Sequence, residues 1–211
     1  MHVFSSDNAY LQGLQQLGGI SPADTFDNRK YLGRFGLDVA TGRASIFLNA
    51  IISLGPNWVP YLATHEYFHI VQQHVGRAAL PTWFIEGMAE WEALRLQGEP
   101  RPTSLGILLT EERQGRSHPL SALETWEQWR RIDRGASPYF KAKVAIMYLE
   151  RLAGPEAPIR LLIDNTVPDP GAFDSRFREV SGVTIEQFEA GIADFLEALI
   201  QEQSVTTTPT P

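Results

Sequence analysis

From residue 31 to 52 the apolar positions are bunched. The stretch "YLGRFGLDVATGRASIFLNAII" reads as one or two strands around a turn at Thr41-Gly42, with Ile46, Phe47, Leu48, Ile51 and Ile52 as the apolar run. Gly55-Pro56-Asn57 breaks that run, and a helix is expected from about Val59 to Val75, with Pro60 tolerated in its first turn and Gly76 placed as a C-cap. Thr82 is the candidate N-cap of a second helix, "TWFIEGMAEWEALRLQ", which extends to about residue 97. Gly87 inside that helix costs about 1 kcal/mol relative to alanine, so its presence predicts a close backbone approach by a neighbouring element.

Residues 98–119, rich in Pro, Gly, Ser and charge, read as an irregular connection holding one apolar piece, "LGILL", followed by a tryptophan-bearing segment at 120–133. Ser137-Pro138 opens a further helix that stops at Gly154-Pro155, and "IRLLIDN" reads as a short one. Thr184 and Gln187 form a capping box for "IEQFEAGIADFLEALI", whose Phe188, Ile192, Phe195 and Leu199 share a face. Residues 1–42 otherwise mix turn signals with short apolar pieces, and 204–211, "SVTTTPTP", read as a disordered Thr/Pro tail. The pattern predicts a mostly helical α+β domain over 1–203, with a small sheet at about 30–55 and a helical C-terminal part over 120–203.

Composition narrows the function classes. A hydrophobic fraction of 43% over 211 residues supports a sizeable core. No apolar run approaches the roughly 20 residues of a membrane span. The net charge of −7 and the lack of a basic stripe argue against a nucleic-acid partner. "RRIDR" at 130–134, with Glu124 and Glu127 before it, reads as a solvated helix face. The N-terminal stretch has neither the basic start nor the apolar block of a signal peptide. There is no cysteine, so any metal site must be built from histidine, carboxylate and water.

"HEYFH" at 65–69 matches the H-E-x-x-H motif. On a helix, residues i and i+4 lie one above the other, so His65 and His69 can chelate one ion. Glu66, rotated by about 100°, stands beside the ion, where a general base for an attacking water belongs. A catalytic zinc takes three protein ligands and keeps one position open. Glu86 and Glu90 are again i and i+4, so one can ligate while the other accepts the N–H of a liganding histidine. Sixteen residues between His69 and Glu86 suffice for a turn and an antiparallel return. His74 lies about 140° round the helix from His69 and cannot join the same ion; His118 fits no part of the pattern.

H-E-x-x-H followed by a tryptophan-bearing helix with E-G-x-A-E resembles the gluzincin metallopeptidases, which share the zincin-like (peptidase MA-like) catalytic domain of the M1 aminopeptidases. The resemblance implies that His65, His69 and Glu86 bind one Zn2+ per chain, that Glu66 is the base, and that Glu90 supports a ligand from behind. "SPYFKAKVAIMYLERLAG" is similar to the family's Y-E-K-G-type helix start, which makes Tyr139 the oxyanion stabiliser; Phe140 and Ala142 depart from that pattern. "PLSALE" and "FREVSGVTIEQFEAGIADFL" also look like segments of small bacterial members, so the similarity spans about residues 45–200. "ASIFLNA" looks like the family's edge strand, where an extended peptide or protein substrate pairs, with Asn49 as a substrate-binding candidate. The G-x-M-E-N element of the M1 aminopeptidases is absent, which favours an endopeptidase over an aminopeptidase. An inactive zinc-retaining domain is the other alternative, and an intact Glu66 argues against it. The resemblance favours an extracytoplasmic bacterial setting if a leader precedes this stretch and a cytoplasmic one otherwise; oligomeric state is left open.

Overall fold

The computed structural model describes residues 1–21, 33–37, 41–49, 58–75, 80–96, 102–132, 137–164 and 170–206. Strands β1 (His2–Phe4), β2 (Gly33–Leu37) and β3 (Ala44–Asn49) form one sheet in the order β1-β3-β2. β3 runs parallel to β1 and antiparallel to β2, in a register from Gly33↔Leu48 to Leu37↔Ala44. Gly42, at φ +66°, takes the left-handed conformation that glycine tolerates best, in the turn expected there. The end of the apolar run at Ile51 and Ile52, the break at 55–57 and Gly76 lie outside the described residues.

Helix α1 (Asp7–Gln16), which the turn-rich reading of residues 1–42 did not foresee, begins where the Ser6 hydroxyl accepts from the Ala9 N–H at 3.1 Å. Its Tyr10, Leu11 and Leu14 close over Phe47 as a small separate core. On the opposite face β3 packs against α2 (Trp58–Val75). A strand covered on both faces explains why 45–49 are all buried and why the sequence shows a continuous apolar run rather than alternation. The expectation that β3 is the sheet edge is corrected, since among the described residues β3 is the central strand and β2 lies at the edge.

The larger core is helical. Helix α3 (Thr82–Arg95) follows α2 and packs most extensively, among the described residues, against α6 (Ser137–Ala153). A Cβ on Gly87 would stand 2.4 Å from the Ala142 carbonyl oxygen, so the close approach expected from that glycine is present. Thr82 is the first helical residue rather than the N-cap. Pro81 holds the cap position, and the Thr82 N–H is satisfied from outside the helix by the Glu124 carbonyl at 2.8 Å.

The expected irregular connection contains α4 (Pro102–Arg113). Leu105 and Leu108, three apart, are buried against the rest of the core, and that apolar spacing outweighs the local Gly and Pro content. A short 3-10 turn (Leu120–Leu123) leads into α5 (Trp126–Arg131), started by a Thr125–Gln128 capping box, with Arg130 and Arg131 exposed. Helix α7 (Ala157–Asp164) covers "IRLLID". Helix α8 (Pro170–Ser181), not singled out from the sequence, buries Phe173 and Phe177 beside Trp83.

The Thr184–Gln187 capping box forms as expected. Its helix is two helices, α9 (Ile185–Ala190) and α10 (Ile192–Thr206), meeting at Gly191, where a side chain would collide with the Tyr148 hydroxyl. Helix α10 runs through the start of the expected tail to Thr206, and 207–211 lie outside the described residues. The described chain is mostly helical with a small three-stranded sheet, in agreement with the α+β expectation. Among the described residues no helix is long and apolar enough to cross a membrane.

Lys141 ties this core together. Its side chain is 1% exposed, and its ammonium lies 2.7 Å from Glu112 on α4 and 3.0 Å from Glu189 on α9. Removing one partner of a buried ion pair leaves a desolvated charge behind, at about 3–5 kcal/mol when both are deep. Glu112 and Glu189 keep some contact with water, so Lys141→Met is expected to lower stability by about 2–3 kcal/mol. Urea unfolding checks this as a reduced midpoint at unchanged slope; an unmoved midpoint would show the network contributes nothing.

Candidate metal centre

The site lies where α2 meets α3, with β2 alongside. Helix α2 places His65, Glu66 and His69 on its buried side, and α3 presents Glu86 and Glu90 one turn apart. Glu86 is 2% exposed and His65 and His69 are 6% and 7%. The Nε2 atoms of the two histidines are 3.1 Å apart, with the rings nearly perpendicular. Glu86 Oε2 lies 3.3 Å from His65 Nε2, and its Oε1 lies 3.4 Å from His69 Nε2.

These separations can be tested against an ion. Ligand bonds of roughly 2.0–2.1 Å in tetrahedral geometry put neighbouring donors about 3.3–3.4 Å apart. The two imidazole nitrogens are 3.1 Å apart and each has one oxygen of the Glu86 carboxylate at 3.3 or 3.4 Å, close to that value, so the three side chains can converge on one ion. The donor set of two imidazoles and one carboxylate could hold a divalent metal ion.

The two carboxylates set the electrostatics of the cluster. Burial opposes a charge on His65, but the paired carboxylates of Glu86 and Glu90 outweigh it and lift its pKa well above the usual histidine value. Burial likewise opposes a charge on His69, and Glu86 again prevails, raising its pKa. Burial would raise the Glu86 carboxyl, but His69 and His65 hold it down to about 2. The field at the two histidines favours positive charge.

His69 is held from behind by a hydrogen bond, and His65 has a carboxylate at ion-pair distance behind it. His65 Nδ1 faces Glu90 Oε1 at 3.3 Å, and the other oxygen of Glu90 accepts a short hydrogen bond from the Tyr61 hydroxyl, one turn before His65. His69 Nδ1 lies 2.8 Å from Gln72 Oε1, while Gln72 Nε2 donates to the Ile85 carbonyl at 2.9 Å. His69 Nδ1 is thus hydrogen-bonded to an acceptor and His65 Nδ1 has a carboxylate at ion-pair distance, while both Nε2 atoms turn toward Glu86.

Glu66 is beside this cluster and 7% exposed. Burial raises its pKa, against the lowering effect of His65 and His69 and of the Phe35 backbone N–H, which donates to its carboxylate. A raised pKa makes it a stronger base than an ordinary carboxylate. Gly33 on β2 makes room for it, because a Cβ there would stand 2.7 Å from Glu66 Oε1 and 3.0 Å from its Cγ.

Tyr139, in the first turn of α6, has its ring 6.4 Å from that of His65 and edge-on to Trp129 at 4.9 Å. It therefore stands beside the site as well as against the core. Asn49 lies on the face of β3 that meets α1; it is 3% exposed, and its Nδ2 donates to Asp7 at 2.6 Å. His74 is exposed and bonded to the Ile70 carbonyl at 2.9 Å, and neither it nor His118 joins the cluster.

Tyr61, Gln72, Gly33, Phe35 and Trp129 were not picked out from the sequence. Two of them carried a usable signal: Tyr61, His65, His69 and Gln72 recur at helical spacing as one polar stripe on α2. Comparison with protein-family models, with curated proteins and with solved structures finds no match to this chain.

Proposed function

We propose that this chain is a zinc-dependent peptidase of the gluzincin type, built on a zincin-like fold and acting as an endopeptidase. The observation that carries the reading is the convergence of His65 Nε2, His69 Nε2 and the Glu86 carboxylate at tetrahedral-edge separations in a buried site. Glu66 stands beside them, where H-E-x-x-H chemistry requires its base.

Bound there, zinc would supply Lewis-acid polarisation of a water and of the substrate carbonyl. Glu66 accepts the proton of the attacking water at its carboxylate and passes it to the leaving amine. Tyr139 donates its phenolic proton in a hydrogen bond to the oxygen on which negative charge develops. Glu90 and Gln72 keep the histidines in the ligating tautomer. Among the described residues β2 lies at the edge of the sheet beside Glu66, where an extended peptide would pair.

The test is metal content together with cleavage. Purified protein is expected to hold one zinc per chain, to cleave members of a mixed peptide library, to lose that activity to a chelator and to regain it with zinc. His69→Ala is expected to lose the metal. A folded wild type that takes up no zinc would end this reading.

A further inference from the structure

We propose that Gln72 is a positioning residue for the site: its amide oxygen fixes the tautomer and aim of His69, and its amide nitrogen ties that histidine to the helix carrying Glu86. This rests on the metal reading above and goes beyond the ligands, base and oxyanion donor that the sequence motif supplies.

The argument begins with which end of the amide faces which partner. The Ile85 carbonyl can only accept, so the NH2 end of Gln72 must turn toward it, at 2.9 Å. The oxygen end then faces His69 Nδ1 at 2.8 Å, and an oxygen can only accept, so Nδ1 carries the ring proton. In the neutral ring, the form that ligates, Nε2 then keeps its lone pair toward His65 and Glu86. Gln72 is 5% exposed, so water is a poor substitute for it. Without it the ring gains access to the other tautomer, whose protonated Nε2 cannot ligate.

Ile85 immediately precedes Glu86. A bond from α2 to that carbonyl orients the amide so that its oxygen faces His69, and adds to the stability of the helix pair. The chemistry also explains an amide rather than a carboxylate at 72. His65 is already backed by Glu90, and Glu66 and Glu86 share the site, so a fourth carboxylate would add repulsion and could not donate to Ile85.

Two variants separate aiming from plain bracing. Gln72→Met keeps the length of the side chain and removes both bonds. Gln72→Glu keeps an acceptor for His69 and loses the donor to Ile85. Zinc affinity, measured by competition with a chelator of known strength, is expected to fall about 10–100-fold in Gln72→Met and to stay within a few-fold of wild type in Gln72→Glu. Thermal stability of the metal-free protein should fall in both. Long-range 15N–1H NMR should show His69 protonated at Nδ1 in wild type and in Gln72→Glu, and a tautomer mixture in Gln72→Met.

Wild-type affinity in Gln72→Met, or an equal loss in the two variants, would overturn the proposal. If Gln72→Met does not fold, Gln72→Glu decides alone, because bracing predicts a loss of zinc there and aiming predicts its retention. A wild type without zinc uptake would refute the metal reading, and the His69 tautomer in the two variants would then judge Gln72 by itself.

Discussion

Glu66→Gln should leave the metal in place and reduce peptide hydrolysis by about 10²–10⁴-fold, the range expected for loss of a positioned general base. The two side chains have the same shape, so the pocket left by Gly33 accepts either, and an amide oxygen can still receive the Phe35 N–H. What the amide lacks is a lone pair basic enough to take a proton from water. The proposed ligand atoms belong to His65, His69 and Glu86, so zinc stoichiometry should match wild type. Because the lost interaction operates in the transition state, the decrease should appear in kcat and in kcat/KM to the same extent. Activity of the variant equal to wild type would remove Glu66 from the reaction. Loss of zinc in Glu66→Gln equal to that in His69→Ala would instead make it a ligand.

The parts of this site that the sequence discloses are those fixed by local geometry. His65, Glu66 and His69 are set by the pitch of one helix, and Glu86 and Glu90 by the pitch of the next, so their relative directions follow from spacing alone. Gly87 belongs with them, since a glycine inside a helix is costly unless something needs the space, and Ala142 does. What spacing does not disclose is pairing at a distance. β1 is three residues long and joins β3 across more than 40 positions, with no local signal that it would displace β3 from the edge. Which face of β3 bears Asn49 was decided by α1, whose packing on Phe47 is again non-local. Gln72 and Trp129 are ordinary residues for a helix surface, and only the Ile85 carbonyl and the Tyr139 ring give them a role. At 98–119 the error was one of weight. Composition favoured a loop, but burying Leu105 and Leu108 on one helical face stabilises by about 1.5–3 kcal/mol for each side chain, more than Gly106 costs.

Tyr139→Phe should lower kcat by about 10²–10³-fold, or about 3–4 kcal/mol, with KM and zinc content close to wild type. The ring is not free to wander. Its backbone sits in the first turn of α6 behind Pro138, and Trp129, 4% exposed, braces one side of the ring at a near-perpendicular angle. On the other side the His65 ring is 6.4 Å away, so the phenol is held beside the ligand cluster in advance of substrate. A donor fixed in this way pays little reorganisation when charge develops, which is why it would act on the transition state and not on the ground state. Removing the hydroxyl leaves the aromatic packing on Trp129 intact, and a thermal melt run beside the kinetics separates a loss of rate from unfolding. Trp129→Leu supplies the complementary measurement: it keeps the hydroxyl but removes its brace, and should lower kcat by less than Tyr139→Phe does. If Tyr139→Phe turns over as fast as wild type, the oxyanion must be met by another donor, while the assignment of His65, His69 and Glu86 as ligands would stand, since it depends on none of the groups on α6.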